Sequence, residues 1–463
     1  TTATVADNTT ITLDKHTVAT PASATLGFEN GEIASSLLTY RVNNAVADAS
    51  SDAAKSVFSV VADPSGAKNK ALKITNYNTA ASSYINTTER SELNVKNAET
   101  PAATDVYATF EGDFYIENPL SKSGSWAMAI ILKSNTYAEM FWLSLDGTGK
   151  AIVIKEANDT SDAAAGTNNT ILSATSKLLN NWFNLRVDYF VNGLESVLTV
   201  YIDGQRVYSA IAYNKLTNAA TVKPITNVDI RFRQHQNFYV DNLAVSTSAT
   251  APEAPEFKRD GFNVATVPSY VTIPSNSTAV EITSNPTDST DKVLKFTQHA
   301  SANSPRPQFN YNGVEIKSPY FTFDSDVYIN GKRAGSTMNE IFFSGDGGDA
   351  FRLKVQHDNS KDEVRLKKWT ISATSDFATP VVLPQNTWFN LRIDYYADGL
   401  DSYMNIYIDG ELVAAESNYY YNPEKINSYV KNVQWQVNAG NNNGYAWYFD
   451  DLAYVNNLGG FIK

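Results

Sequence analysis

The sequence predicts an all-β protein built as two tandem antiparallel β-sandwich domains, and three observations carry that prediction. The chain repeats itself: Trp182-Phe183-Asn184-Leu185-Arg186-Val187-Asp188-Tyr189 returns as Trp388-Phe389-Asn390-Leu391-Arg392-Ile393-Asp394-Tyr395, and each copy runs on to Tyr-Ile-Asp-Gly, at residues 201–204 and 407–410. The composition suits strands, with 26 Tyr and 22 Phe beside abundant Thr, Asn and Ser and only 19% charged residues. Strand-length apolar runs are punctuated by Asn-Gly and Asp-Gly, and helix signals are nearly absent.

A repeat of about 200 residues is too long for a solenoid unit and large enough to bury its own core. The 463 residues therefore divide into two lobes. Residues 1–23, rich in Thr, Ala and Ser, read as linker; 24–246 form the first lobe; 247–259, with Pro252 and Pro255 among Ala and Thr, form a short linker; and 260–463 form the second lobe. So short a linker implies that the lobes touch.

Along the first lobe, residues 90–95 alternate as a strand, and residues 107–116 find a counterpart in 320–329. Residues 185–190, 197–203 and 205–210 form a β-meander whose turns are Asn192-Gly193 and Asp203-Gly204, repeated as Asp398-Gly399 and Asp409-Gly410. Residues 238–243 match 447–452. Ten or more short strands per lobe, by rough count, imply two packed sheets, a jelly-roll sandwich.

Composition also excludes function classes. With no cysteine the chain has no thiolate metal site, cysteine nucleophile or disulfide scaffold. A net charge of −12 argues against a polyanionic partner such as nucleic acid and favours a neutral one. No stretch is long and apolar enough to span a membrane. The start, Thr1-Thr2-Ala3-Thr4-Val5, has the character of the interior of a longer polypeptide, and the expected setting is extracellular or at the cell surface.

The Arg-x-Glu-Leu strand at Arg90, Glu92 and Leu93, the Trp-x-Asn-Leu-Arg hairpins, and a last strand ending in Asp241-Asn242 or Asp450-Asp451 resemble the concanavalin A-like lectin and glucanase superfamily. In a strand, Arg90, Glu92 and Asn94 share one face, and Arg306, Gln308 and Asn310 repeat the rhythm. This row is similar to the one that lines the substrate groove of alginate-lyase-like enzymes. Those enzymes add a His base and a Tyr acid, because removing a sugar C5 proton needs a positioned base. The matching strands here read Met128-Ala129-Ile130-Ile131-Leu132 and Asp229-Ile230-Arg231-Phe232-Arg233, without either group. The paired carboxylates of a retaining glucanase, Glu-x-Asp-x-x-Glu in this superfamily, are absent too.

A non-catalytic binding surface is what these residues imply. Asp229, Arg231 and Arg233 share one strand face, as do Gln434, Gln436 and Asn438, and such amide and guanidinium rows suit hydroxyl-rich ligands. The competing reading is the ordinary solvated face of an antiparallel sheet. Trp142 and Trp369 are placed as exposed platforms for pyranose rings, with Tyr420 in the Tyr419-Tyr420-Tyr421 run at a rim. Trp182, Trp388, Trp435 and Trp447 read as scaffold or core. Related jelly rolls hold a structural Ca²⁺ between an early Glu and a last-strand Asp, places that Glu29 and Asp241 fit; in the second copy Asn263 replaces the Glu. No other cofactor is expected. In architecture the chain resembles the bilobed starch-binding modules of gut bacterial amylosome proteins, which implies an α1,4-glucan partner in a groove formed by or between the lobes. A divergent polysaccharide lyase and a protein-binding adhesin segment are the alternatives.

Overall fold

The structure, a computed structural model, describes residues 26–30, 36–42, 45–47, 58–65, 70–75, 91–117, 125–134, 138–147, 151–157, 169–192, 195–211, 224–232, 237–273, 280–297, 307–331, 338–358, 360–398, 401–422, 429–437 and 445–462. All regular structure among them is β, in thirty strands. The first lobe contains β1 (Leu38–Val42), β2 (Ala45–Ala47), β3 (Phe58–Ala62), β4 (Lys70–Thr75), β5 (Ser91–Lys96), β6 (Tyr107–Ile116), β7 (Ser125–Ser134), β8 (Ala138–Gly147), β9 (Ile152–Ala157), β10 (Asn169–Thr175), β11 (Trp182–Asn192), β12 (Glu195–Ile202), β13 (Gln205–Ile211), β14 (Ile225–Phe232) and β15 (Asn237–Ser248). The second contains β16 (Val271–Thr272), β17 (Val280–Ser284), β18 (Lys292–Thr297), β19 (Gln308–Phe309), β20 (Tyr320–Asn330), β21 (Asn339–Gly345), β22 (Gly348–Asp358), β23 (Glu363–Trp369), β24 (Thr374–Ser375), β25 (Val381–Leu383), β26 (Trp388–Asp398), β27 (Asp401–Ile408), β28 (Glu411–Ser417), β29 (Asn432–Val437) and β30 (Ala446–Asn456).

Each lobe is a two-sheet sandwich. The front sheet of lobe 1 runs β10-β9-β8-β7-β14-β5-β1-β2 and its back sheet β13-β12-β11-β6-β15-β4-β3. Lobe 2 has β16-β19-β29-β21-β22-β23-β24 in front, with β25 also on β23, and β17-β18-β30-β20-β26-β27-β28 behind. Every pairing follows the short hairpins and long crossings of a jelly roll, so the predicted fold class holds. Alternation sends Leu93, Val95, Ile130, Leu132, Leu143 and Ile230 of the front sheet against Phe110, Phe114, Leu185, Val187 and Phe238 of the back sheet. In lobe 2 the fully buried Trp435 and Trp447 meet across the sandwich at 5.0 Å and 62°, so both belong to the core. Each such aromatic contributes about 1.5–3 kcal/mol through burial.

The repeat is built on the same local devices twice. Asp203 (φ 49°) and Gly204 (φ 82°) form the two-residue turn of one hairpin, and Asp409 (φ 51°) and Gly410 (φ 80°) form the other. In each, the Asp carboxylate accepts the backbone N–H of Asn184 or Asn390 at 2.9 Å. Trp182 donates its indole N–H to Asp63 Oδ1 (2.8 Å), and Trp388 donates to Asn285 Oδ1 (3.1 Å), each oxygen also closing an Asx turn onto Ser65 or Thr287. These tryptophans are therefore scaffold, as their place in the repeat implied.

Candidate binding site

Hydrogen-bond register fixes which side chains meet on the front sheets. In lobe 1, β14 pairs Asp229 with Asn94 and Ile131, and Arg231 with Glu92 and Ala129; Ile131 in turn pairs with Trp142. In lobe 2, Gln434 pairs with Gln308 and Phe342, Phe342 pairs with Arg352, and Gln436 pairs with Glu340. Each front sheet thus sets a polar row on its middle strand: Asp229 and Arg231 beside Asn94 and Glu92 in lobe 1, and Gln434 beside Gln308 in lobe 2.

The two faces differ in accessibility. In lobe 1 Lys133 Nζ contacts Asp229 Oδ2, Asn94 Nδ2 donates to Asp229 Oδ1, and Arg231 Nε lies 3.0 Å from Glu92 Oε2 and its Nη2 3.7 Å from Asp229 Oδ2. The four charged side chains are at most 8% exposed. Glu92, Asp229 and Arg231 therefore do not form the open polar row that alternation suggested. They form a buried network of two cations and two carboxylates that compensates itself. Deleting one partner of such a pair costs about 3–5 kcal/mol, because it strands a buried charge. Arg90, Arg233 and Arg306 lie outside the described residues, as does the side chain of Trp142.

Lobe 2 presents a more open face. Gln308, Gln434 and Gln436 are half-buried. Gln308 Nε2 donates to Asn310 Oδ1 at 3.0 Å, Gln434 Nε2 to Gln308 Oε1 at 3.5 Å, and Asn310 Nδ2 to Tyr270 O and Thr272 Oγ1 at 3.0 and 2.9 Å. Beside these amides the Arg352 guanidinium carbon lies 3.5 Å from the Tyr421 ring centroid, 4.7 Å from Phe342 and 4.8 Å from Trp369. Asp349 ion-pairs the same guanidinium. Lys354 Nζ lies 4.0 Å from the Trp369 centroid and 3.4 Å from Glu340 Oε1. Cation–π contacts of this kind contribute about 0.5–2 kcal/mol each and hold the indole in place. Trp369 N–H donates to Tyr419 OH at 2.9 Å, which ties β23 to the same wall.

Within the tyrosine run, Tyr420 is 8% exposed, its hydroxyl buried without a hydrogen-bond partner, and Tyr421 is the ring that reaches the face. Sequence reading missed Phe342, Glu340 and Lys354 as neighbours of Trp369. Their only signal is membership of adjacent strands in phase with the Gln434 row.

The candidate cation position can be tested for fit. Asp241 Oδ1 is buried without a hydrogen-bond partner, and burial raises the pKa of its carboxyl, with a further rise from Asp113 and Glu29. An oxygen-seeking cation would relieve both conditions. Glu29 Oε2 accepts Lys70 N–H at 3.3 Å, and in lobe 2 Asn263 Oδ1 accepts Lys292 N–H at 3.2 Å, so the substitution read from sequence is position for position. Among the described residues no group of three or more His, Cys, Asp or Glu side chains is arranged to hold a metal. The fit rests on the stranded Asp241 oxygen and on nothing denser.

The fold and face define a class, tandem jelly-roll sandwiches with a polar and aromatic front sheet. No protein-family model matches the chain, and no curated protein does. Among solved structures the chain is similar to a conserved carbohydrate esterase from the Shiga toxin-encoding bacteriophage phi24B, at 15% identity and TM-score 0.31, over 48% of this chain and 97% of that one. It is similar to the N-terminal tandem CBM22 domain of Paenibacillus barcinonensis Xyn10C, at 10% identity and TM-score 0.23, over 95% of this chain and 100% of that one. The binding domain of botulinum neurotoxin DC aligns at 10% identity and TM-score 0.32, over 92% and 98%. No side-chain role is carried over at these identities.

Proposed function

We propose that the chain is a non-catalytic carbohydrate-binding protein that holds a neutral polysaccharide, an α1,4-glucan such as starch, with the front face of lobe 2 as its principal contact. One observation carries the reading. Lys133, Arg231, Arg352, Lys354, Arg365 and Lys367 on the two front sheets each already hold a carboxylate. An anionic glycan would have to break those pairs, whereas the half-exposed amides of Gln308, Gln434 and Gln436 and the ring of Trp369 suit hydroxyls and pyranose C–H faces. Ala129 and Ile131, the residues of β7 beside Arg231 and Asp229, have no group that transfers a proton, which supports binding without turnover. The choice of an α1,4-glucan rests on the architectural resemblance. The same reading gives Glu29 and Asp241 a structural Ca²⁺, whose charge would neutralise both carboxylates without taking part in any reaction.

Affinity electrophoresis against starch, amylose, β-glucan, xylan and alginate, with absorbance followed for unsaturated products, tests the proposal. Retardation by starch and amylose without product is the expected result. Product formation would replace it with a lyase, and no retardation by any glycan would favour a protein-binding segment. For the ion, Ca²⁺ is expected to raise the melting temperature by several degrees relative to a chelator, and Asp241→Asn to abolish the difference.

A further inference from the structure

Lobe 1 has a second built surface, away from its front sheet, at the turn between β12 and β13. Gln205 is 0% exposed. Its Nε2 donates to Val314 O (2.9 Å) and Asn456 O (2.7 Å), and its Oε1 accepts Val314 N–H (2.8 Å), so all three bonds go to lobe 2. Arg206 N–H donates to Asn457 Oδ1 at 2.6 Å, its Nε to Leu458 O, and Leu458 N–H returns a bond to Arg206 O at 3.1 Å. The Lys177 ammonium donates to Tyr311 O and Gly313 O. Val314 is buried inside the hydrophobic core of lobe 1, and Ile316 packs against that core. Phe257 of the linker joins Ala453, Val455 and Ile462 in a further cluster. Gly313 abuts Gln205 and Val455 so closely that a Cβ there has no room.

We propose that the two lobes are one obligate folding unit, in which Val314 and Ile316 of lobe 2 complete the core of lobe 1 and Gln205 is the latch. The repeat supplies its own control. The equivalent turn of lobe 2, Asp409-Gly410 followed by Glu411 and Leu412, is bare: Leu412 is 56% exposed and a Cβ on Gly410 meets nothing within 4 Å. Glu411 at the position of Gln205 has no N–H to give two carbonyls, so the latch belongs to lobe 1 alone. The inference is independent of any ligand.

The full chain tests it. Scanning calorimetry is expected to give one transition for the wild type and for Leu412→Gln. Gln205→Glu, which installs the lobe 2 residue in the lobe 1 turn, is expected to split it into two or to lower lobe 1 by at least 5 °C. Two separate wild-type transitions, or an unchanged profile in Gln205→Glu, would overturn the proposal. A protease site placed in residues 249–252 checks it without touching the latch. After cleavage the lobes should co-elute in gel filtration, and separation under native conditions would sink the idea.

Discussion

Trp369 is held by its neighbours rather than by its own strand. Arg352 and Lys354 stand 4.8 and 4.0 Å from its centroid, and Phe342 meets it edge-on at 5.2 Å. Replacing Trp369 with Ala removes the flat face and is expected to weaken starch retention at least tenfold. Arg352→Met keeps the volume but loses the cation, and a smaller loss with a shifted tryptophan emission maximum is expected, read by affinity electrophoresis and fluorescence. Asp450 is the other informative residue. Burial first, then repulsion from Asp451, Asp291 and Asp326 against one favourable backbone N–H, pushes its pKa up from 3.8 to about 7. The folded state therefore binds a proton that the unfolded state has released between those values. Its contribution to stability is full below pH ~4 and lost as pH rises through ~7. Asp450→Asn is expected to flatten the fall in melting temperature between pH 5 and pH 8, and an unchanged slope would assign that fall elsewhere.

Elements explain why much was legible and some was not. The hairpins were readable because Asp-Gly at 203–204 and 409–410 needs positive φ at both residues, a constraint written in the residues themselves. The scaffold tryptophans were readable because each opens the repeated hairpin block, and in the structure each donates to the Asx-turn residue of its own copy, Asp63 or Asn285. The burial of the Arg-x-Glu row was not legible: alternation assigns a face to Glu92, Asp229 and Arg231, but not the ion pair that brings Glu92 and Arg231 together across 139 positions. The cluster at Arg352 likewise draws Phe342, Trp369 and Tyr421 from β21, β23 and the segment after β28.

At the scale of the molecule, the two lobes share a frame and not a surface. Lobe 1 closes its front row with internal ion pairs and offers Lys177, Gln205 and Arg206 to its neighbour, while lobe 2 keeps amides and rings at its front and leaves the matching turn bare. The sequence by itself determined the all-β class, the two lobes, the turns at 203–204 and 409–410 and the identity of the scaffold aromatics. Each of these follows from local backbone preference, from period-two alternation or from the repeat, all of which are properties of neighbouring residues. Only the tertiary structure decided which polar row is buried, which ring reaches the face, and that Val314 belongs to the core of the other lobe. Those outcomes depend on register and on contacts between residues distant in sequence, such as Gln205 with Val314 and Arg352 with Tyr421, where long-range packing rather than local preference sets the free energy.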